Sequence, residues 1–305
     1  MGEAVRLDEV TVAFGGHRAV DRLSLAVPRG AVQGVIGPNG SGKTTTMRVL
    51  LDLVRPRAGR VAVLGETNLA RIRDRVGYLP EERGLYRRMT VRETLAYLAR
   101  LKGAPASSLR ARIDTWLARV QLAGHAEQRV DTLSKGMAQK LQLVAALIAE
   151  PELLILDEPL SGLDPVNVEL VAALLAELRA QGRTILLSTH DMTAAERLCD
   201  RIAMIFRGRL VLEGTLDEIQ ARYALGRVRV ETDAPTSLLL ELPGVTAVHG
   251  EGRRRDVALD GAPEAFLAAL VARAPVRHFE IVRPSLHDVF VRIAGPDAQE
   301  ATADA

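Results

Sequence analysis

Gly37-Pro38-Asn39-Gly40-Ser41-Gly42-Lys43-Thr44-Thr45 sets three glycines ahead of a lysine and two hydroxyl side chains. Glycines at that spacing let successive backbone N–H groups turn inward around phosphate oxygens, and a helix starting there adds the positive end of its dipole. Lys43 is then placed to reach the outer phosphates, and the Thr44 hydroxyl to hold a magnesium ion. A second segment, Leu153-Leu154-Ile155-Leu156-Asp157-Glu158, ends an apolar run in two carboxylates. Asp157 suits the magnesium shell through water. Glu158 suits polarising an attacking water, general-base work worth about 10²–10⁴ in rate. Binding and hydrolysis of a nucleoside triphosphate is the chemistry these segments imply together.

The elements around them must bring the two segments to one place. Val32 to Ile36 is a short apolar run ending in the glycine-rich loop, and helical apolar spacing resumes at Met47, Leu50 and Leu51: strand, loop, helix. Leu153 to Leu156, Thr184 to Leu187 and Ile202 to Phe206 are further apolar runs separated by helical stretches such as Val168 to Ala180. Strands of that kind argue a parallel sheet covered on both faces. Acids at the C-terminal end of such a strand face the same crevice as the loop. Val5 to Phe14, Ala19 to Val27 and Arg60 to Leu64 alternate instead and predict an antiparallel flank. Residues 90–130 carry helical spacing (Val91, Leu95, Leu98, Leu101; Ile113, Leu117, Val120), an inserted helical lobe placed at about 84–132.

Near Tyr223 the pattern changes. Strands are predicted at 228–232, 245–249, 257–259 and 276–282, with helices at 264–273 and 286–292 and a short one at 237–242. Ser285 with Asp288 reads as a capping-box start. The order is βαββαβα, a small α+β domain that is ferredoxin-like by order. The expected division is 1–222, 223–294 and a disordered tail at 295–305.

The 305 residues are 48% hydrophobic and 26% charged, with a formal net charge of +2. That balance gives no reason to expect a nucleic-acid partner. The single cysteine, Cys199, excludes an internal disulfide framework and fits a reducing compartment. No apolar segment reaches spanning length and the N-terminus lacks a signal-peptide core, so the chain is expected not to enter a membrane.

With these motifs in place, residues 5–220 resemble the ATP-binding-cassette ATPases. Leu133-Ser134-Lys135-Gly136-Met137 is similar to that family's signature, just ahead of a helix. Pro159 to Asp164 resembles its D-loop, Ser188-Thr189-His190 its switch histidine, and Phe14 the aromatic that stacks on adenine. The C-terminal module, ending in Pro284 to Phe290, looks like the accessory domain of cassettes paired with exporter-type permeases, including sodium- and drug-efflux systems. The resemblance implies an α/β P-loop NTPase cassette (parallel core sheet, antiparallel flank, helical lobe) and ATP with Mg²⁺ as ligands. It implies a nucleotide site made of Phe14, Gly37, Pro38, Asn39, Gly40, Ser41, Gly42, Lys43, Thr44 and Thr45. Glu158 and His190 would be catalytic, with Thr44, Asp157 and Glu81 around the metal. Ser134, Lys135, Gly136 and Met137 would act on the nucleotide of a second cassette, Asp164 would link the two sites, and a homodimer is favoured over a heterodimer. The partner for transport would be an integral membrane permease, with this chain peripheral on the cytoplasmic face of the membrane.

Three positions depart from the family pattern. Lys135 and Met137 stand where it has Gly and Gln, and Glu81 stands where it has a glutamine. Lys135 either adds attraction to phosphate or points to solvent. Glu81 could approach Mg²⁺ directly or through water. Gly84 to Thr90 is a candidate permease contact, with a solvated basic loop as the equal alternative. A soluble cassette ATPase acting on ribosomes or DNA is the rival class. A single cassette and the short separation of Lys43 from Ser134 argue against it. A sensor without turnover is disfavoured by the presence of Glu158 and His190.

Overall fold

The computed structural model describes residues 2–295 apart from 83 and 225; the predicted tail lies outside the described residues from 296 onward. The chain divides into two compact units, 1–215 and 216–295, apart from those last residues. In chain order the first holds β1 (Glu3–Phe14), β2 (His17–Pro28), β3 (Val32–Ile36), α1 (Lys43–Leu50), β4 (Ala58–Val63), β5 (Val76–Leu79), α2 (Val91–Leu101), α3 (Ala106–Arg119), α4 (Lys135–Leu147), β6 (Leu153–Asp157), α5 (Pro165–Ala180), β7 (Thr184–Thr189), α6 (Met192–Leu198), β8 (Arg201–Phe206) and β9 (Arg209–Thr215).

A six-stranded sheet runs β5-β6-β7-β3-β8-β9, parallel except for β9 against β8. Strands β3, β6 and β7 are buried at every position, because both faces are covered and the period-2 alternation serves two cores. Leu154, Leu156, Ile185 and Leu187 pack with Leu95, Ile113, Trp116 and Leu117 of the helical lobe. Leu153, Ile155 and Leu186 pack with Met47 and Leu50 of α1 and with Val5, Leu7, Leu23 and Leu25 of the flank. That flank is the antiparallel sheet β2-β1-β4; β1 and β2 alternate over much of their length, whereas β4 is exposed from Ala58 to Arg60 and buried only at Val63.

Local signals start the helices. Thr90 and Glu93 form a reciprocal capping box on α2, Ser134 caps α4, and Asp164 caps α5 with Pro165 in its first turn. No helix among the described residues is long and apolar enough to cross a membrane.

The second unit holds α7 (Leu216–Arg222), β10 (Arg227–Thr232), α8 (Thr236–Leu240), β11 (Val245–His249), β12 (Arg254–Leu259), α9 (Pro263–Val271), β13 (Val276–Val282) and α10 (Leu286–Ala294). Its sheet order, β11-β12-β10-β13 with every pair antiparallel, is the ferredoxin-like split βαβ arrangement. Val228, Val230, Val257 and Leu259 meet Leu239, Phe266 and Leu270 in its core. Helix α7 groups with this unit: Arg283 Nη1 donates to Asp217 at 2.8 Å and Gln220 Nε2 to the Pro284 carbonyl at 3.2 Å. The Ser285–Asp288 capping box opens α10.

Candidate functional site

Strand β3 stops at Ile36, and the chain turns away at Gly37 with φ 151°. A Cβ there would lie 2.1 Å from the Ile205 carbonyl oxygen, so glycine alone fits the bend. The loop then winds to Lys43, the first residue of α1. Its ammonium turns back and donates to the Gly37 and Pro38 carbonyls at 2.7 and 3.1 Å. The lysine is 6% exposed. Burial lowers its pKa, and Glu158, then Asp157 and Glu81, act against that shift. Asn39 to Thr45, with Ala19, Glu81 and Glu158, line a cavity of about 270 Å³. Ser41 Oγ is buried there without a hydrogen-bond partner. A helix N-terminus, a lysine and unsatisfied donors around a small cavity form a receptor for an anion.

The acid pair arrives from the neighbouring part of the sheet. Asp157 is fully buried, and its Oδ1 accepts from Thr44 Oγ1 at 3.2 Å and from Ser188 Oγ. Its Oδ2 is buried with no partner. Glu158 follows in the left-handed region, φ 50°, a conformation costing a non-glycine residue about 1–3 kcal/mol and characteristic of functional positions. Its N–H donates to the Ser188 carbonyl and hydroxyl oxygens at 3.2 and 3.1 Å, which hold the turned backbone. The carboxylate Oε1 then stands 3.7 Å from Lys43 Nζ and 3.0 Å from His190 Nδ1, although no aligned hydrogen bond forms at that oxygen. His190 follows the last residue of β7 and is 38% exposed.

Ser188, two residues before His190, is a site residue that no sequence motif marks. The β6–β7 register sets it opposite Asp157, where one hydroxyl serves both acids. The signal was available only once strand pairing was known.

The remaining sequence candidates divide. Glu81 is exposed and reaches the cavity wall. Phe14 ends β1 and is 53% exposed. Ser134, Lys135, Gly136, Met137 and Asp164 do not line the cavity of their own chain. Ser134 Oγ accepts from the Met137 N–H at 3.3 Å, capping α4. The Met137 side chain packs against the lobe core, which accounts for an apolar residue in place of glutamine. Lys135 takes neither of the two expected courses in full: exposed, it lies across the D-loop, where a methyl on Gly162 would meet its Nζ at 2.9 Å. Asp164 caps α5 through the Asn167 N–H at 2.9 Å, and this hydrogen bonding holds its carboxyl below the usual range. Cys199 is half-buried against the lobe core, and this burial pushes its thiol up to about 12; it is an inert packing group.

No group of three His, Cys, Asp or Glu side chains suited to a metal occurs among the described residues. Magnesium does not need one, since it is usually held by one or two carboxylates, water and substrate phosphates. The Thr44 hydroxyl and the unpartnered Asp157 Oδ2 form an all-oxygen set that fits it.

Residues 20–161 match the family model described as ABC transporter, and residues 214–294 the model of the DrrA1-3-like ATP-binding protein C-terminal domain. The Bacillus subtilis ABC transporter ATP-binding protein YhaQ is 39% identical over 95% of this chain and 98% of its own length. The Nod factor export ATP-binding protein I of Paraburkholderia xenovorans is 38% identical over 97% and 99%. The daunorubicin resistance ATP-binding protein DrrA3 of Streptomyces coeruleorubidus is 37% identical over 96% of each chain. Among solved structures, an ATP-binding subunit of an ABC transporter superposes with a TM-score of 0.68 at 31% identity, covering 72% of this chain and 93% of that one. The ATP-binding cassette MJ0796, a dimer bound to ADP and Pi after hydrolysis, superposes with 0.65 at 26% identity over 70% and 98%.

Proposed function

The chain belongs to the ABC transporter family as an ATP-binding and ATP-hydrolysing subunit, and from that premise we propose that two copies close head to tail over two ATP molecules to drive export through a separate permease. The observation that carries this reading is the meeting of Lys43 and Glu158 in one cavity with His190 beside them. On ATP binding, Lys43 exchanges its loop carbonyls for the outer phosphates, and the loop N–H groups surround them. Thr44 and Asp157 would hold magnesium, with Glu81 on the same cavity wall as a further oxygen donor; the ion would supply neutralisation of phosphate charge. Glu158 takes the proton of the attacking water, and His190 steadies the γ-phosphate and the Glu158 carboxylate. Phe14 supplies an exposed face for adenine.

Ser134 to Met137 stand at the tip of α4, away from their own cavity. A helix N-terminus led by Ser134 and Gly136 offers donors to an anion from outside, so each site is completed by a second copy, with Asp164 linking the two. Closure with ATP and opening after hydrolysis is a shift between two populated arrangements.

The permease contact combines Gly84–Thr90 with a neighbouring apolar surface on α2. Tyr86 packs edge-on against Tyr97, ring centroids 5.2 Å apart. Tyr97 and Leu101 lie one helical turn apart on one face of α2, and Leu101, with Leu53, borders a cavity of about 620 Å³. These four side chains are 39–64% exposed, apolar area that a partner surface would cover. The chain is then peripheral on the cytoplasmic face of the membrane. Relatives named for Nod factor export and for daunorubicin resistance match it about equally, at 38% and 37%. Both names favour export, and neither selects a cargo.

Glu158→Gln tests the reading. ATP binding should survive while turnover falls by about 10²–10⁴, and closed dimers should accumulate with ATP in size-exclusion chromatography. Wild-type turnover in that variant would remove Glu158 from the role of base.

A further inference from the structure

Helix α4 buries three polar side chains near its middle: Gln139, Lys140 and Gln142, at 7%, 6% and 3% exposure. Burial for packing alone selects apolar residues, as at the neighbouring Leu141, Leu143 and Val144. The two glutamines instead reach out of the helix to the loops beside the reaction site. Gln139 Nε2 donates to the Pro159 carbonyl, one residue past Glu158, and Gln142 Nε2 donates to the Glu82 carbonyl, one residue past Glu81. Both bonds measure 3.3 Å, long enough to tighten if the loops are drawn in. Gln142 Oε1 is buried without a partner; a leucine or methionine would fill the same space without that cost.

The helix that carries them has little room to yield. It presses on β5 at Gly77, where a Cβ would lie 2.3 Å from the Ala146 carbonyl oxygen. Its N-terminal end is Ser134, the tip offered to the second nucleotide. Between the glutamines, Lys140 makes no ion pair among the described residues. Burial lowers its pKa and Asp164 opposes that shift, so the same helix also lies within the field of the D-loop acid.

We infer that Gln139 and Gln142 are positioning residues that make α4 a strut, transmitting engagement of its Ser134 tip to the loops that hold Glu158 and Glu81. The inference rests on the proposed sharing of sites between two copies. Phosphate bound at the tip draws the helix toward the partner's cavity. The two amide bonds carry that displacement to the chain following each acid, so the water-polarising group is set in place only when the dimer is shut.

Gln142→Met keeps the side-chain length and removes the donor; Gln139→Met does the same for the other loop. In ATPase assays of the full chain, each should lower kcat about tenfold, the scale of one hydrogen bond tightened in the transition state, while KM for ATP moves less than about twofold. ATP-driven dimers in a Glu158→Gln background should weaken in parallel. Unchanged kcat in both variants, or a lowered Tm with kcat per folded molecule intact, overturns the inference. Should Gln142→Met fail to fold, Gln142→Glu takes its place, setting a carboxylate against the Glu82 carbonyl; kcat should fall further, and an unchanged value is equally fatal. A wild-type chain that neither hydrolyses ATP nor dimerises would instead sink the proposed function, so the two failures are distinguishable.

Discussion

Around Lys43 the cassette buries an ammonium, two carboxylates and a hydroxyl, and leaves Ser41 Oγ and Asp157 Oδ2 without partners. In the 216–295 unit, the one buried polar side chain among the described residues is Thr232, and its hydroxyl donates to the Pro275 carbonyl at 2.8 Å. The charges of that unit stand on its surface in complementary pairs: Arg229 with Asp256 at 2.7 Å, Arg253 with Asp233 at 2.6 Å, Arg283 with Asp217 at 2.8 Å. The cassette thus gathers unsatisfied polar atoms (Ser41 Oγ, Asp157 Oδ2 and Glu158 Oε1) where an anion is to arrive, whereas in the second unit Arg255 Nε is the one buried side-chain atom without a partner among the described residues. Unsatisfied burial costs stability unless a ligand or catalysis uses it. The difference separates a reaction site from a structural module.

The comparison breaks most visibly at the phosphate loop. Gly37→Ala drives a methyl to 2.1 Å from the Ile205 carbonyl oxygen at φ 151°. The loop must shift, and ATP affinity measured with a fluorescent nucleotide should fall about a hundredfold or more, since at least two aligned donors are lost, each worth about 1.5–3 kcal/mol to a charged group. Retained affinity would mean that the loop geometry does not make the site.

A core truncation in the second unit should act oppositely. Phe266 is fully buried and stacks against Phe279 with ring centroids 6.5 Å apart. Phe266→Ala should cost about 3–5 kcal/mol, exposing residues 216–295 to proteolysis while the fragment carrying Lys43 still binds ATP. Loss of ATP binding in that fragment would show that the second unit supports the phosphate corner.

Much of this division was legible in the residues. The glycine loop and the acid pair are local signals whose spacing carries their chemistry, and the all-apolar strands announced a sheet covered on both faces. What escaped depended on neighbours distant in sequence. Strand β5 is four residues long and broken by Gly77, a residue chosen for the approach of α4 and not for its own propensity. Strand β9 begins at Arg209 and carries Glu213, so its edge position hides its period. The left-handed turn at Glu158 has no signature at all, because a glutamate there is held by Ser188 across the β6–β7 register. Lys135 rests on a glycine of another loop, and Met137 turns into the lobe core, contacts that no motif records.

The smallest effect is expected where charge in the second unit is already satisfied. Ser285 Oγ accepts from the Asp288 N–H at 3.1 Å and donates to Asp288 Oδ2 at 2.7 Å, while the Ser285 N–H donates to the same oxygen at 2.9 Å. Ser285 hydrogen bonds hold the Asp288 carboxyl below its usual range. A depressed carboxyl contributes stability that is present above its unfolded pKa, about 4, and is lost as pH falls through the folded value. Ser285→Ala should therefore cost about 1 kcal/mol at pH 7, read by hydrogen exchange of the α10 amides. The gap from wild type should narrow as the pH falls below about 4, since protonation already weakens the bonds that the serine supplies. An Asp288→Asn chain, with nothing to titrate at that position, should show a nearly constant serine effect across the same range. If the Ser285→Ala gap proves equally flat in the wild-type background, the box acts by shape alone, and charge does not stabilise this helix start.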